Sequence, residues 1–552
     1  MKKSIFSLFF VGLSLALFAQ ADLNSTLESL KNQLTEVETK SAVFGQTLEW
    51  DAQKPYKLKL TILETGKKKG KEKVSTFDFS LKDVDLNAIR SKTNKDIVEV
   101  NIFMKSKQKL VIFSQEGEFK SYVSQLKVYA NDADSGKALE KIIEQAAKQA
   151  KAFPSSCPAD ATTGYTWMMD NVADFSVGDV AKEQSLKIDG MILDYHLVTK
   201  GKKDKVEHWF FNLADLNKRS VKLQIKSKEF YVEAKTKRNL KYIFYQKDES
   251  KSSYTNKIKF YTANFEQAKC LLSVLELLIE DSEKQMKANT PSFTSAKQAL
   301  DVLAKEVGTV EMEKYKILQE LKPTCATTLT QNETKGSSDA KDKEFRFNYL
   351  DVKAKRIEIG VKGNLVELTL GTGKDKLIQA YKDGELGSYT NKLTIIAPNI
   401  EKAKLMKIAA VDAAKLCKDE AGFKPFGSVK ENFDWLAKLL KEHVVPEHEQ
   451  RLEAGDEDCK WKLVSIQSGK KQLEEVFEFS LEDLDEKKIK WKISGKKLAI
   501  VVNAKYKEKN IKYYKNGEPD NYKNVFSIEF NDIEAARNAI LVLKKAVELC
   551  KG

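Results

Sequence analysis

The sequence predicts an α+β protein built from four tandem repeats, each with an N-terminal helix, about six antiparallel strands and a closing amphipathic helix. Three observations support this prediction: an aromatic strand motif that recurs four times, a tyrosine that recurs with the same period, and helix-start signals that flank the strands. The period indicates domain-sized units, because a segment of about 130 residues can bury its own core.

Residues 1–21 are predicted to be a secretory signal peptide. Lys2 and Lys3 precede an apolar run over residues 5–18, and residues 19–21 provide an A-x-A cleavage site. A membrane anchor is the weaker alternative, since the run is shorter than a span of about 20 residues. No cysteine follows the cleavage site, so no lipoprotein signal is expected. We expect an exported, soluble mature chain without a transmembrane segment, either in the periplasm or outside the cell.

Two landmarks define the repeats, and each recurs roughly every 130 residues along the chain. One is the second aromatic residue of each aromatic strand, at Phe79, Phe211, Phe347 and Phe479. The other is a tyrosine before the last strand, at Tyr122, Tyr254, Tyr389 and Tyr522. We therefore place the repeats at 22–156, 157–290, 291–425 and 426–552. Short proline-bearing connectors between them predict a semi-rigid rod of four globules.

Each repeat is expected to begin and end with a helix. Capping-box pairs start three N-terminal helices, at Ser25 with Glu28, Ser295 with Gln298, and Ser428 with Glu431. An Asx residue ten positions after each landmark tyrosine can cap a closing helix, at Asp132, Asn264, Asn399 and Asp532. In the last repeat, alternation and turn signals predict strands near 459–467, 474–482, 487–494, 496–503, 509–515 and 523–530.

This order of elements resembles the pleckstrin-homology-like superfold, in which a strongly bent antiparallel sheet is closed by one C-terminal helix. The resemblance covers each repeat apart from its N-terminal helix and implies a bent sheet or partial barrel. The phosphoinositide ligand of that family is not carried over, because no matching residue set is present and a fold alone does not fix a function. A lysine-rich exported chain of repeats also resembles secreted proteins of Gram-negative bacteria.

Six cysteines in an exported chain predict disulfides. Two pairs occupy equivalent places in repeats three and four: Cys325 and Cys459 lie at the first strand, and Cys417 and Cys550 lie at the end of the closing helix. We therefore expect Cys325–Cys417 and Cys459–Cys550 bonds, while Cys157 and Cys270 pair by elimination. Metal binding by these cysteines is disfavoured, because no CxxC or CxH cluster is present.

The formal net charge is +14, and removal of Lys2 and Lys3 with the leader leaves +12. Lysines concentrate in the hairpin before the aromatic strand of three repeats, at Lys67, Lys68, Lys69, Lys71, Lys202, Lys203, Lys470 and Lys471. Such loops can attract anions, although lysine at a hairpin tip also keeps a strand edge soluble. Nucleic-acid binding is disfavoured, because acidic residues are dispersed along the chain and no nucleic-acid motif is present.

Nothing in the sequence assigns a catalytic, cofactor-binding or metal-binding residue, and motifs such as GxSxG, HExxH and the Walker loop are missing. The recurring aspartates are interpreted as turn residues whose side chains bond their own backbone: Asp83, Asp215, Asp351 and Asp483. His196 and His208 fall on predicted strands. His443 and His448 are interpreted as surface residues at a helix end, since Pro446 between them breaks the helix that would align them.

Three functions are consistent with the sequence. The first is a non-enzymatic exported scaffold or adaptor that binds protein partners, with exposed aromatic residues such as Tyr254, Tyr513 and Tyr514 on its surface. The second is a binding module for anionic glycans or lipid headgroups that uses the lysine hairpins. The third is a hydrolase, which would need a deep pocket with paired carboxylates.

Overall fold

The computed structural model describes residues 22–551 except 69, 95, 178–179, 227–228, 249–251, 313–314, 337, 339, 420–421, 444 and 470–471. The predicted signal peptide therefore lies outside the described residues. The chain is an α+β structure of helices and antiparallel sheets, and it divides into two compact units between Asn289 and Thr290. Unit 1 contains the first two predicted repeats and unit 2 contains the last two.

Helices flank the strands in all four segments. The first segment comprises α1 (22–33), β1 (Val37–Glu38), β2 (Ala42–Asp51), β3 (Lys54–Gly66), β4 (Glu72–Ser80), β5 (Arg90–Asn94), β6 (Ile97–Phe103), β7 (Val111–Gln115), β8 (Glu118–Val123), β9 (Gln125–Ala130) and α2 (Ala133–Ala150). The second comprises α3 (Ala161–Asn171), β10 (Phe175–Val177), β11 (Val180–Asp189), β12 (Ile192–Thr199), β13 (Lys205–Asn212), β14 (Lys222–Lys226), β15 (Glu229–Lys235), β16 (Ile243–Lys247), β17 (Ser253–Thr255), β18 (Lys257–Thr262) and α4 (Phe265–Ala288).

The same order continues in unit 2. The third segment comprises α5 (Ala296–Glu306), β19 (Val310–Met312), β20 (Tyr315–Leu321), β21 (Ala326–Lys335), β22 (Lys341–Asn348), β23 (Glu358–Lys362), β24 (Leu365–Gly371), β25 (Ile378–Lys382), β26 (Glu385–Thr390), β27 (Lys392–Ala397) and α6 (Ile400–Asp419). The fourth comprises α7 (Val429–Glu442), β28 (His448–Ala454), β29 (Lys460–Gln467), β30 (Leu473–Ser480), β31 (Lys490–Ser494), β32 (Lys497–Asn503), β33 (Lys512–Lys515), β34 (Glu518–Pro519), β35 (Val525–Phe530) and α8 (Ile533–Leu549).

The strands of each segment form two sheets, whereas the sequence predicts one sheet of about six strands. The large sheets have five or six strands, in the orders β1-β2-β3-β4-β7-β8, β10-β11-β12-β13-β16-β17, β19-β20-β21-β22-β25-β26 and β28-β29-β30-β33-β34. The small sheets have three strands each, in the orders β5-β6-β9, β14-β15-β18, β23-β24-β27 and β31-β32-β35. The four sheet groups are similar, which is compatible with four repeats.

The sequence predicts too few strands because some strands are short or follow a helix closely. In the fourth segment all six predicted strands are present, and β28 and β34 are additional. Strand β34 has only two residues, which is too short for an alternation pattern. Strand β28 begins two residues after Pro446. In the sequence this proline indicates the end of a helix, so the sequence does not predict the strand that follows it closely.

A glutamine that is buried in three segments and half-buried in the second joins the two sheets of each segment. It lies on the second strand of the large sheet in the first three segments and on the first strand, β28, in the fourth. It hydrogen-bonds the backbone of a residue on the last strand of the small sheet. The pairs are Gln46 with Tyr129, Gln184 with Tyr261, Gln319 with Ile396 and Gln450 with Glu529. We call these four glutamines the seam glutamines, because each closes the open side between two sheets.

Three seam glutamines use both ends of the amide. Gln319 donates from Nε2 to the carbonyl of Ile396 at 2.8 Å and accepts its N–H at Oε1 at 2.9 Å. Gln46 and Gln450 make the same two bonds. In the second segment, Gln184 donates to the carbonyl of Tyr261, while its Oε1 accepts the hydroxyl of Tyr195 at 2.6 Å. The glutamine side chain thus makes the hydrogen bonds that the backbone of a neighbouring strand would otherwise make.

The closing helices begin where the Asx signals predict. The side chains of Asp132, Asn264, Asn399 and Asp532 each accept a backbone N–H three residues further on. Ser428 and Glu431 form a complete capping box at the start of α7. Ser25 does not cap α1, because the helix already extends back to residue 22. A capping-box spacing inside a helix is therefore not sufficient to locate its start.

The two segments of a unit share buried apolar side chains. In unit 1 one cluster of buried residues extends from Leu23 in α1 to Ile279 in α4. In unit 2, Leu377 and Tyr389 of the third segment belong to the core of the fourth segment. The two segments of each unit are therefore packed together, rather than each being a separate globule on a connector.

Three disulfides hold strands or connectors to closing helices. They join Cys325 to Cys417 and Cys459 to Cys550, as equivalent positions predict, and Cys157 to Cys270, as elimination predicts. The Cys325 and Cys459 bonds each close a loop of about 90 residues, a constraint worth about 4 kcal/mol in chain-entropy estimates. Disulfides of this kind indicate an oxidising, non-cytoplasmic location.

We predict that Gln46→Met destabilises unit 1 by about 3 kcal/mol, because the partly buried N–H and C=O groups of Tyr129 both lose their partner. The measurement is urea unfolding of the whole chain, followed by tryptophan fluorescence and circular dichroism. Gln33→Met, at an exposed position of α1, is the matched control. Equal midpoints for the two variants would contradict a structural role of the seam glutamine.

Candidate functional site

The lysine hairpins lie on hairpin turns of unit 1. Lys67, Lys68 and Lys71 lie between β3 and β4, and Lys202 and Lys203 are exposed between β12 and β13. The ammonium of Lys67 pairs with Glu38, and this hydrogen bond lowers the pKa of the Glu38 carboxyl. One lysine of the first hairpin is thus already paired with an acid. The remaining candidates, Lys69, Lys470 and Lys471, lie outside the described residues.

Two of the recurring aspartates join segments, which corrects the interpretation that they only stabilise their own turns. Asp83 pairs with Lys269 of α4 at 2.6 Å. Asp351 accepts a bidentate hydrogen bond from Arg537 of α8. Lys269 and Arg537 occupy the same place, four residues after the first residue of their helices. In both units, an aspartate of the first segment binds the closing helix of the second.

Other side chains occupy the capping role that the sequence assigns to the aspartates. The N-cap of the short 3₁₀ turn after the aromatic strand is Ser80 in the first segment and Asn348 in the third, and each accepts a backbone N–H within that turn. Asp83 and Asp351 lie three residues further on. Their carboxylates are therefore available to the closing helix of the next segment.

Landmark tyrosines reinforce this packing inside each unit. The ring of Tyr122 lies 4.7 Å from Phe265 and 5.7 Å from Phe230, both in the second segment. Its counterpart Tyr389 is buried, and its backbone N–H bonds the carbonyl of Gly495 in the fourth segment. Tyr122 and Tyr389 are thus interface residues as well as periodic landmarks.

The packing in unit 2 leaves an open cleft of about 690 Å³ between the third and fourth segments. One wall is formed by β22, β25 and β26, and the other by the start of β28, the β31–β32 turn and the end of β35. The volume is in the range of ligand-binding clefts. Its lining is largely polar, which distinguishes it from an apolar pocket for a small hydrophobic molecule.

A second hollow of about 550 Å³ adjoins the cleft on the face of the third segment's large sheet. Arg346 and Tyr381 line both hollows, so the two form one extended surface. We call this surface the unit 2 groove. At its centre the guanidinium of Arg346 lies 4.5 Å from the ring of Tyr381 and bonds Glu344.

Both signs of charge line the unit 2 groove. Lys496 and Lys497 are exposed on one wall, and Asp342 and Glu344 lie at the other end, in the second hollow. The exposed Leu318 adds apolar surface beside these acids. The groove can therefore bind a partner through ion pairs, hydrogen bonds and a limited apolar contact.

Two residues that line the cleft, His448 and Glu529, form a hydrogen-bonded chain with the buried Ser465. Nε2 of His448 lies 2.8 Å from Oγ of Ser465, and its Nδ1 lies 3.0 Å from Oε2 of Glu529. This is the connectivity of a Ser–His–acid triad. His448 is buried at the first residue of β28, so the interpretation of His448 as a surface residue at a helix end is wrong. His443 does cap the end of α7.

Two observations argue against a catalytic role for this chain of residues. Ser465 is only 5% exposed and does not line the cleft, so its hydroxyl is covered. The other segments fill the equivalent place of His448 and Glu529 with contacts that only join the sheets. These contacts are the Phe44–Tyr129 ring pair at 4.6 Å, Lys182 over the Tyr261 ring at 4.1 Å, and Ile317 with Ile396 in one apolar cluster.

The surface aromatics expected from the sequence differ in exposure. Tyr513 is buried and its hydroxyl donates to Glu475 at 2.7 Å, so it cannot belong to an exposed cluster. Tyr254 and Tyr514 are half-buried. The aromatic residue at the centre of the groove is instead Tyr381, which no periodic signal singles out. Only its stacking on Arg346 in the folded chain identifies it.

No protein-family model matches the sequence, and no curated protein matches it. None of the described helices is both long and apolar enough to cross a bilayer.

We predict strong coupling between Asp351 and Arg537, because removing Arg537 leaves the buried Asp351 carboxylate unpaired, and removing Asp351 leaves the largely buried Arg537 with only Glu534 as a partner. Asp351→Ala and Arg537→Met are each expected to cost about 3–5 kcal/mol, and the double variant clearly less than their sum. A double-mutant cycle in urea measures this. The exposed pair Lys430 and Asp434 is the control, and its coupling should be close to zero because solvent screens it. Additive effects at Asp351 and Arg537 would contradict the interface role.

We also predict that Ser465 does not react with a fluorophosphonate probe in the folded chain, because its hydroxyl is covered. Intact-mass spectrometry after incubation with the probe is the measurement. The variant Ser468→Ala distinguishes labelling of Ser465 from labelling of Ser468, which lines the cleft. Stoichiometric labelling of Ser465 that disappears in His448→Gln would instead establish a nucleophile.

Proposed function

We propose that this chain is an exported, non-enzymatic binding scaffold, and that the unit 2 groove binds an extended segment of a protein partner. The single observation that carries the proposal is the groove itself, in which two hollows meet at Arg346 and Tyr381. An elongated polar groove suits an extended polypeptide better than a compact small molecule. Arg and Tyr are also enriched among residues that dominate protein–protein binding energy.

The interface between the third and fourth segments supports this proposal. Asp351 and Arg537 fix the two walls of the cleft through a bidentate ion pair, and the Cys325 and Cys459 disulfides stabilise the segments that carry them. A preformed groove loses less conformational entropy on binding than a mobile one. We therefore expect a rigid receptor surface.

The cell location is the second part of the proposal. The three disulfides agree with an oxidising compartment. Together with the predicted signal peptide at residues 1–21, they support a periplasmic or extracellular protein. The pairing of a large and a small antiparallel sheet with a closing helix also keeps the pleckstrin-homology-like resemblance as a proposal for each repeat, without its ligand.

Binding of anionic glycans or lipid headgroups is the alternative. Four exposed lysines of unit 1 support it: Lys68, Lys71, Lys202 and Lys203. The pairing of Lys67 with Glu38 weakens it, because that ammonium is partly neutralised. This alternative predicts binding that declines steeply with salt and depends on unit 1 rather than on the groove.

The test is site-specific photo-cross-linking in the native envelope. A photo-reactive amino acid at Lys496, which lines the groove, is expected to capture one protein through an extended segment, at both low and high salt. The same amino acid at Lys492, exposed on the same hairpin but outside the groove lining, is the control. A synthetic peptide of the captured segment should compete with the partner.

Two groups of variants separate the hypotheses. The double variant Arg346→Ala, Tyr381→Ala is expected to abolish capture of the partner. A second variant, the glutamate variant, is expected to leave capture unchanged; it replaces four lysines with glutamate, at Lys68, Lys71, Lys202 and Lys203. Recovery of glycan or lipid only at low salt, lost in the glutamate variant, would contradict the groove proposal and favour the lysine hairpins.

A further inference from the structure

Two histidines and an aspartate meet on the large sheet of the second segment, in unit 1. Asp194 and His196 lie two residues apart on β12, and His208 lies directly opposite His196 on β13. Side chains two residues apart on a strand point to the same face, and directly opposed residues are neighbours across the ladder. Register alone therefore brings three metal-binding side chains together.

The geometry of this cluster is compact. The two imidazole rings stack with centroids 4.0 Å apart and an angle of 9° between planes. Oδ1 of Asp194 lies 3.1 Å from Nε2 of His196 and 2.7 Å from Nε2 of His208. The three ligand atoms all lie within 4.8 Å of one another. Both histidines thus direct the same nitrogen at one carboxylate oxygen.

We propose that Asp194, His196 and His208 form a binding site for one divalent transition-metal ion of the zinc or copper class. Imidazole nitrogen and carboxylate oxygen are ligands that these ions accept, with metal–ligand distances of about 2.0–2.2 Å. The side chains need only small rotations to converge on one ion. The ion replaces the shared hydrogen-bonded protons between the carboxylate and the two rings.

Solvent access leaves room for a further ligand. The side chains of His196 and Asp194 are 47% and 36% exposed, and that of His208 is 25% exposed. A three-residue site that is open to solvent completes its coordination with water or with a ligand from a partner. The ion can therefore exchange with the surroundings, unlike an ion in a closed structural site.

The opposite face of the same strands is rigid. Tyr195 is fully buried and stacks on Trp209 at 5.2 Å, and its hydroxyl bonds the seam glutamine Gln184. These contacts fix the backbone between and beside the ligands. A fixed backbone keeps the three ligand atoms close together before the ion binds, which favours affinity.

A purely structural hydrogen-bonded pair of histidines is the competing interpretation, and it predicts no stoichiometric ion binding.

The test is isothermal titration calorimetry of the chelator-treated full chain with Zn²⁺, and separately with Cu²⁺, near neutral pH. We expect one equivalent to bind, and His196→Gln or His208→Gln to weaken it by at least about 100-fold. The conservative Asp194→Asn should also weaken binding. His443→Gln, which removes a histidine outside the cluster, is the matched control and should bind like the parent chain.

A second measurement shows whether the variants are correctly folded. Circular dichroism should show the same fold for all four variants, since the ligands lie on the solvent face, and the parent chain should unfold at higher temperature with Zn²⁺ than without it. No saturable binding by the parent chain, or binding retained in a His196→Gln, His208→Gln double variant, would overturn the proposal.

Discussion

The hydrogen bond between a strand side chain and a distant strand backbone is the interaction on which this architecture depends. A small three-stranded sheet would otherwise expose an unpaired edge to the large sheet, and unpaired backbone groups are costly when buried. Gln319 and Gln450 pair both backbone groups of Ile396 and Glu529 in unit 2. With that edge closed, the final helix can pack mainly on the small sheet, and the disulfides can attach to it.

Beside this seam, the four segments differ in chemistry although their sheet groups are similar. The place of the Phe44–Tyr129 ring pair in the first segment is occupied by a hydrogen-bonded histidine and glutamate, His448 and Glu529, in the fourth. The residues that make this neighbouring contact can differ between segments, because the seam glutamine still bonds the last strand of the small sheet. The triad-like connectivity in the fourth segment is therefore understood as one variant of a sheet-joining contact.

Local signals could be predicted from the sequence, and long-range partners could not. The cap at Asp532 and the Cys325–Cys417 bond follow from spacing, because caps are local and equivalent cysteines repeat. The partner of Asp351 could not be predicted, since it lies 186 residues further along the chain. The His196 and His208 pair depends on strand register, which the alternation pattern leaves open until the turn between β12 and β13 is known. The groove likewise requires two segments packed together.

Amide hydrogen exchange of the whole native chain, resolved to single residues, tests the central role of the seam most directly. The N–H groups of Tyr129, Ile396 and Glu529 point away from their own sheets and donate to seam glutamines. If the seam bonds hold the sheets together, these edge-strand amides exchange as slowly as amides in the centre of the sheets. Exchange as fast as at exposed hairpin turns would show that the side-chain bonds do not hold the two sheets together.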